Sequence, residues 1–98
     1  MQLEDEVKNM ELILQPEMEN VVDEIFARIA SAQDRYDYFT STHEALGVAL
    51  EEWNELQSAV KTNLLESVRE EAMDLAAVLI RLAWQVRSNE SLKRRSVK

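Results

Sequence analysis

One glycine, Gly47, and one proline, Pro16, in 98 residues leave this chain almost nothing from which to build tight turns. Strand hairpins and bulges draw heavily on both residues, so an all-β fold or a doubly wound sheet is excluded in practice. A P-loop and a dinucleotide fingerprint each need several glycines, and one cannot build either. The absence of cysteine removes disulfide scaffolds, thiol nucleophiles and thiolate zinc sites, and one histidine, His43, cannot make a His-rich metal site. The chain is long enough for a single domain over residues 1–98, and short enough that a sizeable core is often completed by association. The expected architecture is an all-α helical bundle with an antiparallel pair of motif helices, completed as a homodimer or homotetramer.

Hydrophobic spacing divides the chain into four helical segments. Leu3, Val7, Met10 and Leu14 recur at spacings of four and three, which makes one apolar stripe over residues 1–15. Pro16 interrupts it, and Glu17 and Glu19 put negative charge where a new first turn would begin. The second helix is expected to reach about Asp37 and to bury Met18, Val21, Val22, Ile25, Phe26 and Ile29. Residues 36–42, YDYFTST, read as the connection. Ser41 and Glu44 have the spacing of a capping box, so a third helix should begin at about Thr42 and run to about Lys61. Its expected core stripe is Leu46, Ala49, Leu50, Trp53, Leu56 and Val60. A short break at Thr62 and Asn63 implies an antiparallel return. The last helix, from about Leu64 to Arg87, contains DLAAVLIRLAW, apolar on nearly every side. Such a helix is expected to be buried all round, with a partner subunit covering what this chain cannot. Residues 88–98 read as a flexible basic tail.

Charge narrows the ligands. Eleven Lys and Arg stand against nineteen Asp and Glu, a formal net charge of −8. Such a surface repels a nucleic acid polymer, and a phosphate-bearing ligand needs a divalent cation to supply the attraction. Residues 1–5 are acidic where a signal peptide would be basic, and no apolar run approaches the ~20 residues of a membrane span. No membrane association and a cytoplasmic location are expected.

Most acidic residues suit solvated helix faces, but four do not. Leu64, Val68, Glu71, Leu75, Val78 and Leu82 form one stripe, and Glu71 occupies a slot where every other member is Leu or Val. Asp74 lies one turn beyond it. Glu52 and Glu55, three apart on the preceding helix, also share a face. An antiparallel turn would bring the two pairs together beside apolar surface, where they repel one another and lose hydration. A hard cation among the oxygens makes such an arrangement tenable, and Mg²⁺ leaves coordination positions for water or phosphate oxygens.

Two strings make this specific. HEALGVALEEWNEL contains Glu-Glu-x-x-Glu at Glu51, Glu52 and Glu55, and REEAMDLAAVLIRL contains Glu-x-x-Asp at Glu71 and Asp74. This resembles the signature of the MazG-like, all-α nucleoside triphosphate pyrophosphohydrolases, in particular a small phage and bacterial branch. In that branch a Ser-x-His-Glu sequence begins the motif helix, and an Ala-Ala and an Arg follow the second motif, as Ala76, Ala77 and Arg81 do here. The likeness covers roughly residues 38–86. It implies Mg²⁺-dependent hydrolysis of a nucleotide substrate between its α- and β-phosphates, with Mn²⁺ as a possible substitute. It also implies Glu52, Glu55, Glu71 and Asp74 as metal ligands, Glu52 thereby belonging to the catalytic centre, and Glu51 as an outer ligand or base. Arg81 would contact phosphate or orient a carboxylate, and Lys93 and Arg94 in the tail are further candidates for substrate contact. Asn54 stands where close relatives often carry an acid. Two alternatives remain at this stage. One is a phosphoribosyl-ATP pyrophosphatase-like enzyme, although the aromatic-His pair expected after its acidic motif is missing over residues 75–77. The other is a non-catalytic helical protein whose carboxylates bind a structural ion.

Overall fold

The computed structural model describes residues 15–88, which fold into three helices. The expected helix over residues 1–15 and the tail carrying Lys93 and Arg94 lie outside the described residues, apart from Gln15 and Ser88 at their edges. Helix α1 spans Pro16–Tyr36, α2 spans Thr42–Thr62 and α3 spans Leu65–Ser88.

Local chemistry accounts for each boundary. Pro16 starts α1 where a missing N–H costs nothing, with Glu17 and Glu19 stabilised by the positive end of the helix dipole. The helix stops because Asp37 takes φ 64° and ψ −162°, a conformation that favours glycine and ends the α ladder. The Ser41 hydroxyl accepts the Glu44 N–H at 3.1 Å and begins α2. The Glu44 carboxylate reaches back to the Thr40 N–H at 2.8 Å, one residue earlier than a standard capping box. Asn63, left-handed at φ 58°, closes α2. Asparagine is among the few side chains that tolerate this geometry.

Helix α3 is the centre of the bundle. Both α1 and α2 pack against it, and they do not pack against one another. The order of contacts fixes the directions. Glu24 and Arg28 of α1 meet Arg69, Glu70 and Asp74, while Gln33 meets Arg81, so α1 runs parallel to α3. Phe39, just before α2, meets Gln85 near the end of α3, so α2 returns antiparallel. The core is small: Phe39, Ala45, Ala49 and Val78 are buried, with Val48, Leu75 and Leu82 packed around them.

Two expectations about burial are corrected, those for α2 and α1, while the incomplete enclosure of α3 by this chain is as expected. On α2, of the expected stripe only Ala49 is buried; Leu46, Leu50, Trp53 and Val60 are each about half exposed. The face toward α3 is instead Ala45, Ala49, Glu52, Leu56 and Ala59, because small residues let the two backbones approach and leave the bulky ones to the side. On α1 no residue is fully buried, and Met18 and Phe26 are exposed, since a single neighbour covers only a narrow strip of a helix. On α3, Ala77 and Val78 are buried while Leu79, Ile80 and Trp84 are exposed, so this helix is not enclosed by the described residues. Among the described residues no helix is long and apolar enough to cross a membrane.

Candidate functional site

Helical periodicity alone puts Glu52 and Glu55 on one side of α2, and Glu71 one stripe position above Val68 on α3. The antiparallel return brings them together. One carboxylate oxygen from each of Glu52, Glu55 and Glu71 lies within 4.8 Å of the others. Octahedral Mg²⁺ with bonds of about 2.0–2.1 Å holds its ligand oxygens roughly 3–4 Å apart, so a small inward movement satisfies it.

The electrostatics fit a cation. Glu52 Oε2 and Glu71 Oε1 are buried and, among the described residues, have no hydrogen-bond partner. A buried oxygen without a donor is costly, and a cation is one way to satisfy it. Loss of hydration first, then the charges of Glu55, Asp74 and Glu71, push the Glu52 carboxyl up to about 7. Loss of hydration and the adjacent Glu55 also raise Glu71, with Arg28 opposing the rise. Oxygens that hold protons this tightly are the ones a divalent cation would compete for.

Asp74, the fourth expected ligand, is engaged elsewhere. Arg28 of α1 bonds its carboxylate through Nη1 and bonds Glu70 through Nη2 at 2.5 Å. Arg69 extends the chain of charges, bonding Glu24 at 2.5 Å and Glu70 at 3.2 Å. This network ties α1 to α3.

Because α1 and α2 do not touch, a cleft of about 750 Å³ opens between them over α3. Arg28, Glu51, Glu52 and Asp74 line one end, and Tyr36, Tyr38 and Phe39 line the other, with Ala32, Ala77 and Val78 between. Glu51 is exposed on the cleft wall and stands outside the carboxylate trio. A smaller hollow of about 410 Å³ reaches Glu55 and Glu71 from the α2–α3 turn, beside Ser58 and Thr62.

The far end of the cleft is built by side chains of α3. Gln85, 2% exposed, accepts the Phe39 N–H at 3.0 Å and donates to the Phe39 carbonyl at 2.7 Å. Arg81, 4% exposed, donates to Gln33 at 2.8 Å and to the Asp37 carbonyl at 2.9 Å, with its guanidinium 4.3 Å from the centre of the Phe39 ring. Burial lowers the Arg81 pKa. Arg81 thus anchors the loop and also lines the cleft. Tyr38 packs on Trp84 with ring centres 5.8 Å apart.

Arg28 and Gln85 are absent from the sequence-level candidates. Gln85 had a signal: continuing the alternating spacing of Leu64, Val68, Glu71, Leu75, Val78 and Leu82 lands on it, a second polar residue in an apolar row. Arg28 had none, since its partners lie on another helix, 42 and 46 residues away. Compared with protein-family models, with curated proteins and with solved structures, the chain matches none.

Proposed function

We propose that this protein is a Mg²⁺-dependent nucleoside triphosphate pyrophosphohydrolase, releasing a nucleoside monophosphate and pyrophosphate. The observation that carries the reading is the pair of buried, unpartnered oxygens of Glu52 and Glu71 within the acidic trio, beside a cleft of about 750 Å³. Clefts of this size hold ligands of nucleotide dimensions. The motif likeness to MazG-like enzymes points the same way.

In this reading Glu52, Glu55 and Glu71 hold the ion and Asp74 joins them. A bound Mg²⁺ would polarise the phosphate and offset the charge that builds up during cleavage. The phosphates lie at the carboxylate end, where Arg28 adds the nearest positive charge. The sugar crosses the apolar floor at Ala77 and Val78, and the base reaches Tyr36 and Tyr38. Arg28 and Tyr36 are eight residues apart on α1, about 12 Å of helix, which suits the span from phosphate to base. Glu51, exposed at the cleft wall, is the group available to take a proton from an attacking water.

The assembly is proposed to be a homodimer or homotetramer. Leu46, Leu50, Trp53 and Val60 lie on the side of α2 away from Glu51 and Glu55, and Leu79 adds exposed apolar surface on α3.

The deciding experiment is product analysis on a panel of ribo- and deoxynucleoside triphosphates with Mg²⁺. Pyrophosphate and monophosphate are the expected products, and EDTA should stop their release. Orthophosphate as the first product would rule out cleavage at the α-phosphate. Turnover that survives EDTA would rule out the metal, and no turnover on any substrate would favour a structural ion.

A further inference from the structure

Of the four acidic residues that face one another across α2 and α3, three converge and the fourth does not. Asp74 is held by Arg28, and it is the one residue of the four missing from the cluster whose oxygens lie within 4.8 Å. Arg28 is suited to holding it reversibly. Its guanidinium is bonded to Glu70 through the other terminal nitrogen at 2.5 Å, so it can release Asp74 while α1 stays tied to α3. Arg28 also lines the cleft alongside Asp74 and Glu52.

We infer that Arg28 is the resident counter-cation of Asp74, and that a divalent cation on the trio gains Asp74 as a further ligand by displacing Arg28. This rests on reading the trio as a cation centre. The exchange is balanced in charge: Asp74 leaves a monovalent guanidinium for a divalent ion, and Arg28 keeps its ion pair with Glu70. The guanidinium edge released by Asp74 then faces the cleft, where an anionic ligand can take it up. Arg28 therefore competes with the metal in the empty protein and becomes available to phosphate in the loaded one. Toward the metal its role is positioning, exerted through Asp74.

The test is the affinity for Mn²⁺ alone, measured calorimetrically on the whole chain without nucleotide. Arg28→Met should bind Mn²⁺ roughly three- to tenfold more tightly, the range expected for removing one partly exposed charged hydrogen bond that competes with the ion. Arg69→Met removes the same charge from the same network without touching Asp74, and should change affinity less than about twofold. In an Asp74→Asn background the gain from Arg28→Met should vanish. Should the methionine variant lose helix content by circular dichroism, Arg28→Lys serves instead: lysine is shorter and lacks the two terminal nitrogens that hold Asp74 and Glu70 separately, so its grip on Asp74 is weaker and a smaller gain is expected. Wild-type protein that binds Mn²⁺ while neither Arg28 variant binds it more tightly would overturn the inference and leave the cation centre standing. A gain that persists in Asp74→Asn, or is matched by Arg69→Met, would overturn it as well. No Mn²⁺ binding by any of these proteins would overturn the cation centre, and this inference with it.

Discussion

At the scale of the residue, the carboxylates are held against their preference. Glu71 sits in the row of α3 that meets α2, and its partner oxygens are other acids. Replacing Glu71 by Leu completes the apolar row and removes a repelling charge. The metal-free variant should be as stable as the parent or more so, with turnover lost and the Mg²⁺-induced rise in melting temperature much reduced. The same change at exposed Glu66 should move none of these appreciably. The Glu52 carboxyl gives a pH dependence with a definite sign. Its folded-state value, about 7, lies above the ordinary 4.5, so the folded protein binds the extra proton between those values. This contribution to stability is fully present below about 4.5 and is lost as pH rises through about 7. Glu71, raised in the same direction, reinforces it, while Glu70, lowered by its bond to Arg28, opposes it at the acidic end. Thermal melts in EDTA should therefore show a lower melting temperature at pH ~8 than at pH ~6. Mn²⁺ should reverse that trend, since deprotonation frees the ligands.

At the scale of the element, the loop between α1 and α2 is fastened by two side chains of α3, Arg81 at the Asp37 carbonyl and Gln85 at Phe39. Gln85 satisfies both the N–H and the carbonyl of Phe39 inside the core. Gln85→Leu would keep the volume and strand both backbone groups, at a cost of roughly 2–4 kcal/mol in urea denaturation. Because Phe39 borders the cleft, ligand affinity should fall as well. Helix α2 carries the opposite kind of weakness. Gly47 lies within its second turn, and a Cβ there would meet nothing within 4 Å. Gly47→Ala should raise stability by about 0.5–1 kcal/mol through helix propensity, read from the shift in urea midpoint at constant slope. Helix α1 has no fully buried residue and is tied to α3 by the pairs of Arg28 and Arg69, so it is the element whose docking should respond most to salt.

At the scale of the whole molecule, one chain leaves much of its apolar surface in water. Helix α3 bridges two helices that do not meet. The arrangement that opens the cleft on one side leaves the apolar faces of α2 and α3 uncovered. An assembly of identical chains is the expected solution, and sedimentation velocity at micromolar concentration should show a dimer or tetramer. Leu50→Glu, placed on the half-exposed row of α2 away from the carboxylates, should shift the species toward monomer by desolvating a charge at the contact. A wild-type protein that sediments as a stable monomer would remove the assembly.

The sequence by itself determined what depends on neighbours along the chain. Proline scarcity and apolar spacing specify helices, Ser41 and Asn63 mark where α2 begins and ends, and i, i+3 pairs of acids must share a face. Of the five acids in the two spaced motifs, four could be assigned to an inward side because a Glu in an apolar row is conspicuous in one dimension. Which part of a broad apolar arc meets another helix is a different matter. On α2 the row of large residues looked like the core, yet the alanine face took the contact, since close approach of backbones depends on the helix opposite. Pairings across the bundle were equally out of reach. Arg28 with Asp74, and Gln85 with Phe39, each join residues 46 positions apart, and periodicity reports the face of a side chain but not its partner. Only the tertiary structure decided that three carboxylates converge while the fourth is held by an arginine, because that choice is made by the packing of α1 onto α3.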